Sequence, residues 1–77
     1  MNINIYSTPT CPYCQMAKKF FQENNLPFTD YNVAENRQAL TEMIAKSGQM
    51  AVPVIEIDGN IIVGFDREKI KQMVGLK

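Results

Sequence analysis

The stretch NINIYSTPTCPYCQMAKKFF, Asn2 to Phe21, contains a change of hydrophobic period on which the architecture turns. Its first part alternates, with Ile3 and Ile5 on one face, which predicts a strand ending at the turn residues Thr8-Pro9-Thr10. From Pro12 the period becomes helical, with Met16, Ala17, Phe20 and Phe21 recurring on one helix face. Pro12 suits the first helical position, because the N–H it lacks would have no partner there. Both cysteines of the chain, Cys11 and Cys14, stand at this change of period.

Working outward, the helix should stop in ENNLP, where Asn25 tolerates a cap conformation and Pro27 cannot continue the helix. FTDYNV (28–33) predicts a second strand, and ENRQALTEMIAKSG (35–48) a second helix with Leu40, Met43 and Ile44 inward and Gly48 at a left-handed cap. PVIEID (53–58) and NIIVGF (60–65) flank an Asp58-Gly59-Asn60 turn, a strong hairpin signal. Asp66 can cap a last helix, REKIKQMV (67–74), whose Ile70, Met73 and Val74 share a face before Gly75. The predicted order is β-α-β-α-β-β-α. A helical crossover makes the first two strands parallel, and the hairpin is antiparallel within itself. The expectation is an α/β fold, a four-stranded mixed sheet flanked by three helices, in one domain over residues 1–77, since the length leaves no room for a second module.

Eight basic and eight acidic residues cancel, so the chain has no broad field to gather nucleic acid or an anionic membrane surface. Apolar runs such as AVPVI and NIIVGF fall far short of the ~20 residues that span a bilayer. The opening MNINIYSTPT has neither the cationic start nor the apolar region of a signal peptide, which points to a soluble, cytoplasmic protein. A single cysteine pair closing so small a loop adds little entropic stability. Packing must hold the fold, and with 45% apolar residues it has the material.

Three uses of the cysteine pair compete. Cys-x-x-Cys is half of many zinc sites, but there is no histidine and no third cysteine, so a closed site would need carboxylates or a second chain, as in a metal-bridged dimer. A structural disulfide is the second use and contributes little here. Thiol–disulfide exchange is the third, and it is the chemistry this spacing carries beside a βαβ pattern. Position gives the reason. At a helix cap, unpaired backbone N–H groups point at the Cys11 sulfur and favour a thiolate there. Cys14, three residues on, comes round to the same face within disulfide reach. Cys11 is therefore expected to be the nucleophile and Cys14 the resolving thiol. Lys18 and Lys19 read as a solvated helix face, the alternative being that one of them joins the first-turn amides in favouring the Cys11 thiolate.

CPYC at a helix start, followed in order by AVPVIEIDG (51–59) and VGFD (63–66), resembles the glutaredoxin family of the thioredoxin-like superfamily over nearly the whole chain. The resemblance implies the sheet order 2-1-3-4, with the first and last helices on one face and the second helix on the other. It also implies a cis peptide at Pro53, with the backbone of Val52 pairing with an extended substrate such as glutathione or a peptide strand. Asp66, besides capping, would receive the amino end of glutathione, with Gly64 and Phe65 beside it and Tyr13 lining the groove next to Cys11. The implied electron donor is glutathione, with no tightly bound cofactor or metal. The implied substrates are glutathionylated or disulfide-bonded proteins; the sequence leaves the oligomeric state open, with a monomer as the default. Thr8 stands where many of the family carry lysine, Val63-Gly64 replaces a Gly-Gly pair, and Arg67 replaces a second aspartate. With Phe65, the GFD sequence resembles instead the glutaredoxin-like redoxins that take electrons from thioredoxin reductase and serve ribonucleotide reductase. Phe65 also reads as a hydrophobic staple onto Ile70, the residue before a cap packing on the fourth helical residue.

Overall fold

A computed structural model describes residues 2–75, and its elements follow the predicted order. They are β1 (Ile3–Ser7), α1 (Pro12–Glu23), β2 (Thr29–Asn32), α2 (Arg37–Ser47), β3 (Val54–Ile57), β4 (Asn60–Val63) and α3 (Arg67–Val74). The strands lie in the order β2-β1-β3-β4. β1 is parallel to β2 and antiparallel to β3, and β3 is antiparallel to β4.

The period of two along the strands divides the core into two layers. Ile3 and Ile5 of β1 join Ile55, Ile57 and Ile62 beneath Ala17, Phe20 and Phe21 of α1 and Ile70 of α3. Tyr6 points the other way and packs with Val33, Val54, and Ala39 and Met43 of α2. Thus α1 and α3 cover one face and α2 the other, as the family resemblance implied. Burying each such Ile or Phe side chain stabilises the fold by about 1.5–3 kcal/mol. On the α2 side Lys46 Nζ donates to Tyr6 Oη and to Glu56 Oε1, both at 3.0 Å, and Asn4 Nδ2 donates to the same Glu56 oxygen at 2.9 Å. The Asn4 amide, followed by Lys46, holds the Glu56 carboxyl below its ordinary range.

Local sequence explains the boundaries. Helix α1 ends because Asn25 turns left-handed at φ 56°, letting the Asn25 N–H bond Gln22 O and the Leu26 N–H bond Phe21 O. The hairpin turns on Asp58 and Gly59, both at positive φ (49° and 88°), the pattern of a two-residue type I′ loop. β2 is shorter at both ends than predicted, and Asn32 accepts the Ala34 N–H with its side chain, which favours a turn over a continued strand. α2 begins at Arg37, two residues later than predicted, because the Asn36 side chain caps it by accepting the Ala39 N–H.

Two side chains depart from expectation. Met16, expected inward, is 51% exposed, because Cys14, Ala17 and Phe21 hold the inward stripe of α1. Lys18, expected on a solvated face, is half-buried and ion-paired to Asp30 across the layer.

The register sets Tyr6, Val54 and Val63 side by side across three strands. The chain leaving β1, the chain entering β3 and the chain leaving β4 therefore meet at one end of the sheet. Residues 8–14, 52–53 and 64–66 all fall there.

Candidate active site

The chain leaves β1 through a tight turn in which the Cys11 N–H bonds Thr8 O. Cys11 then takes the extended backbone of a helix cap (φ −92°, ψ 112°), and Pro12 opens α1. The Cys11 sulfur does the work usually left to a serine or aspartate oxygen, accepting the Cys14 N–H at 3.2 Å. Both cysteines are free thiols, and they differ in access: Cys11 is half-buried and Cys14 is 0% exposed. Burial, and after it the hydrogen bond with Cys11, pushes the Cys14 thiol up to about 12, while the Thr8 amide and Lys18 pull the other way. One sulfur is reachable and accepts a backbone N–H; the second is sealed behind it and held as a thiol.

The Val52–Pro53 peptide is cis, as the resemblance implied, and Pro53 is buried. Its carbonyl accepts the Gly64 N–H at 2.7 Å, which ties the entry to β3 onto the exit from β4. Gly64 sits at φ 86°, and since no atom lies within 4 Å of where a Cβ would stand, backbone conformation alone asks for glycine. Val52 is half-buried and stands outside the ladder, whose first pair is Val54 with Val63.

Asp66 is exposed and caps α3, its Oδ1 accepting the Lys69 N–H at 3.2 Å. Phe65 is half-buried against the cluster that contains Ile70, and its ring meets Phe20 edge-on at 6.0 Å. Arg67 lies over the Phe20 ring at 5.6 Å. An open groove of about 250 Å³ runs here, lined by Met16, Lys19, Phe20, Glu23, Phe65 and Arg67. A larger hollow, at the far end of α1 around Leu26, is remote from the cysteines. Tyr13, in the first turn of α1, is 61% exposed.

Sequence reasoning missed the set beneath α1. Lys18 Nζ is 2.7 Å from Asp30 Oδ2, and the buried Ser7 hydroxyl donates to Asp30 Oδ1 at 2.6 Å. The available signal was the spacing of Cys14 and Lys18, which stacks them one turn apart. Among the described residues no group of three or more His, Cys, Asp or Glu side chains is placed to hold a metal ion, and no helix is long and apolar enough to cross a membrane.

Comparison with known proteins agrees with this geometry. The glutaredoxin family profile matches residues 3–62. A glutaredoxin-like 8.6 kDa protein in the rubredoxin operon of Clostridium pasteurianum is 49% identical over 72 residues, covering 94% of this chain and 96% of that one. Glutaredoxin 3 of Escherichia coli (strain K12) is 38% identical over 65 residues, covering 84% and 78%. In three dimensions the glutaredoxin-like NrdH-redoxin of Escherichia coli superposes with a TM-score of 0.82 at 25% identity, covering 95% of each chain. Paired thiols at a helix start, a four-stranded thioredoxin-like sheet and these matches lead to one conclusion: the chain belongs to the glutaredoxin family of thiol-based redox proteins.

Proposed function

We propose that this protein is a glutathione-dependent thiol–disulfide oxidoreductase that reduces glutathione mixed disulfides and protein disulfides through Cys11 and Cys14. The observation that carries the reading is the inequality of the two sulfurs: Cys11 is accessible and receives an amide hydrogen bond, while Cys14 is sealed. Cys11 attacks a substrate disulfide; a Cys11–sulfur bond forms, the substrate S–S bond breaks, and one substrate sulfur leaves with the electron pair. With a glutathionylated protein the leaving group is the protein thiol, and a second glutathione then frees Cys11. With a protein disulfide, Cys14 attacks Cys11 and releases the reduced substrate, and glutathione later reduces the Cys11–Cys14 bond. Tyr13, Val52, Pro53, Gly64, Phe65 and Asp66 are assigned to substrate binding, with the Val52 backbone as a strand-like partner and Asp66 with the α3 start for the amino and carboxylate groups of glutathione. The protein would act as a monomeric single domain in the cytoplasm.

A second reading has specific support. Thr8, Phe65 and Arg67 depart from the glutathione pattern, and the NrdH-redoxin neighbour is described as having a thioredoxin-like activity profile. On that reading thioredoxin reductase supplies the electrons and ribonucleotide reductase receives them. A coupled NADPH assay decides between the two. Turnover with glutathione and glutathione reductase supports the first; turnover with thioredoxin reductase alone supports the second. Cys11→Ser should abolish both, while Cys14→Ser should keep reduction of glutathione mixed disulfides and lose that of protein disulfides. Equal loss in the two variants would contradict the one-thiol route. A metal-bridged dimer through the same cysteines is the reading from another class, and purified protein that is monomeric and metal-free eliminates it.

A further inference from the structure

Cys14 must shed its proton before it can attack a mixed disulfide on Cys11, yet water does not reach it. Charge in the layer beneath α1 therefore matters, because a field acts more strongly there than in solvent. One turn beyond Cys14, on the same helix face, is Lys18. Its ammonium is paired at the rim of the layer, where Lys18 is half-buried and Asp30 exposed. Asp30 on β2 holds it at 2.7 Å, and the Ser7 hydroxyl at the end of β1 holds Asp30 at 2.6 Å. Ser7 is 1% exposed and shares the α1 side of β1 with Ile3 and Ile5, while Asp30 lies in register with Ile5 on the neighbouring strand. Hydroxyl, carboxylate and ammonium thus form a chain below the first turns of the redox helix.

The other groups acting on Cys14 are few. Cys11, on the same helix, opposes ionisation through its hydrogen bond and its charge; the Thr8 amide and Lys18 favour it. Asp30, from β2, is exposed and paired with Lys18, and its charge partly offsets that of the ammonium. From β3 and α3, which share the layer, come Ile55, Ile57, Ile70, Met73 and Val74, all uncharged. When Cys11 is bonded to a substrate sulfur it carries no charge, so its opposition lapses. The Thr8 amide and Lys18 then remain to offset burial.

We infer that Lys18, clamped by Asp30 and Ser7, is a positioning residue for the resolving step, its ammonium stabilising the Cys14 thiolate as it attacks the mixed disulfide. The inference rests on the roles proposed above for Cys11 and Cys14. In the step the Cys14 S–H proton is lost, Cys14 Sγ bonds Cys11 Sγ, and the Cys11–substrate S–S bond breaks. The substrate sulfur departs with the electron pair and takes up a proton, so two electrons pass from the cysteine pair to the substrate. Lys18 keeps its own proton throughout.

Rapid mixing of reduced protein with dithiodipyridine, an uncharged disulfide, separates the steps: the first pyridinethione released reports attack by Cys11 and the second reports resolution by Cys14. Lys18→Gln should slow the second phase about fivefold at neutral pH and move its pH profile upward, with the first phase changed by less than about twofold. Lys18→Arg should restore both rate and profile. A structural tie alone would leave the profile unmoved. If Lys18→Gln does not fold, Lys18→Met, which keeps the apolar stem packed, serves the same comparison. A second phase with the wild-type rate and pH profile in the uncharged variant overturns the inference. Wild-type protein that shows no first phase overturns both the inference and the cysteine roles beneath it.

Discussion

Iodoacetamide offered to the native, reduced protein should mark Cys11 and almost spare Cys14. Two routes lead to Cys14, and both are slow. Through the native state the reagent meets a sulfur with 0% exposure whose thiol is pushed from the ordinary 9.0 up to about 12. Each unit is tenfold in thiolate, so even a reagent that arrived would find about a thousandfold less anion at neutral pH. Through an opened state the thiol is ordinary, but opening a core position costs on the order of 4 kcal/mol, again about a thousandfold. The faster route thus runs at no more than about a thousandth of the rate of an exposed thiol. Both cysteines fall in the tryptic peptide ending at Lys18, so fragmentation between Cys11 and Cys14 in the mass spectrometer must locate the label. In denaturant the two should label alike. Native labelling of Cys14 within about tenfold of Cys11 would refute the sealed second sulfur and the order of attack built on it.

Other outcomes follow from the same structure. Asp66→Ala removes the cap of α3 and should cost about 1 kcal/mol. That lowers the thermal midpoint by about 4–8 °C, and scanning calorimetry showing no change would mean the cap is idle. Glu56 has its carboxyl held low by the Asn4 amide and then by Lys46. The folded chain therefore takes up that proton at lower pH than the unfolded chain. Its contribution is present above the ordinary 4.5 and is lost as pH falls below it. Denaturant midpoints at neutral and acid pH should diverge less in Glu56→Gln than in the wild type, and equal divergence would refute the assignment.

Much of the fold was legible because local chemistry and tertiary packing agree. Pro12 after Cys11, Gly48 after α2 and Asp58-Gly59 between two β-rich runs each took the conformation their side chains permit. The cysteine pair was legible for the same reason, since its spacing and the helix start are both local. What escaped was non-local. Met16 has the hydrophobicity of a core residue, but whether it turns inward depends on Cys14 filling that stripe, which helical period alone leaves open. Lys18 looked like surface because nothing near it in sequence announces Asp30, which arrives on a parallel strand after the helix has turned back. Ser7 gave no sign at all, being one more polar residue at the end of a strand.

The proposed reactive face is drawn from three separated pieces of chain, around Cys11, Val52 and Gly64, which meet where β1, β3 and β4 stand side by side. A fragment ending before β3 would keep both thiols and lose the walls around them, behaving as a plain dithiol peptide. On the proposed function, redox turnover would thus also gauge completed folding: a ribosome-bound chain would stay chemically unremarkable until its hairpin had docked.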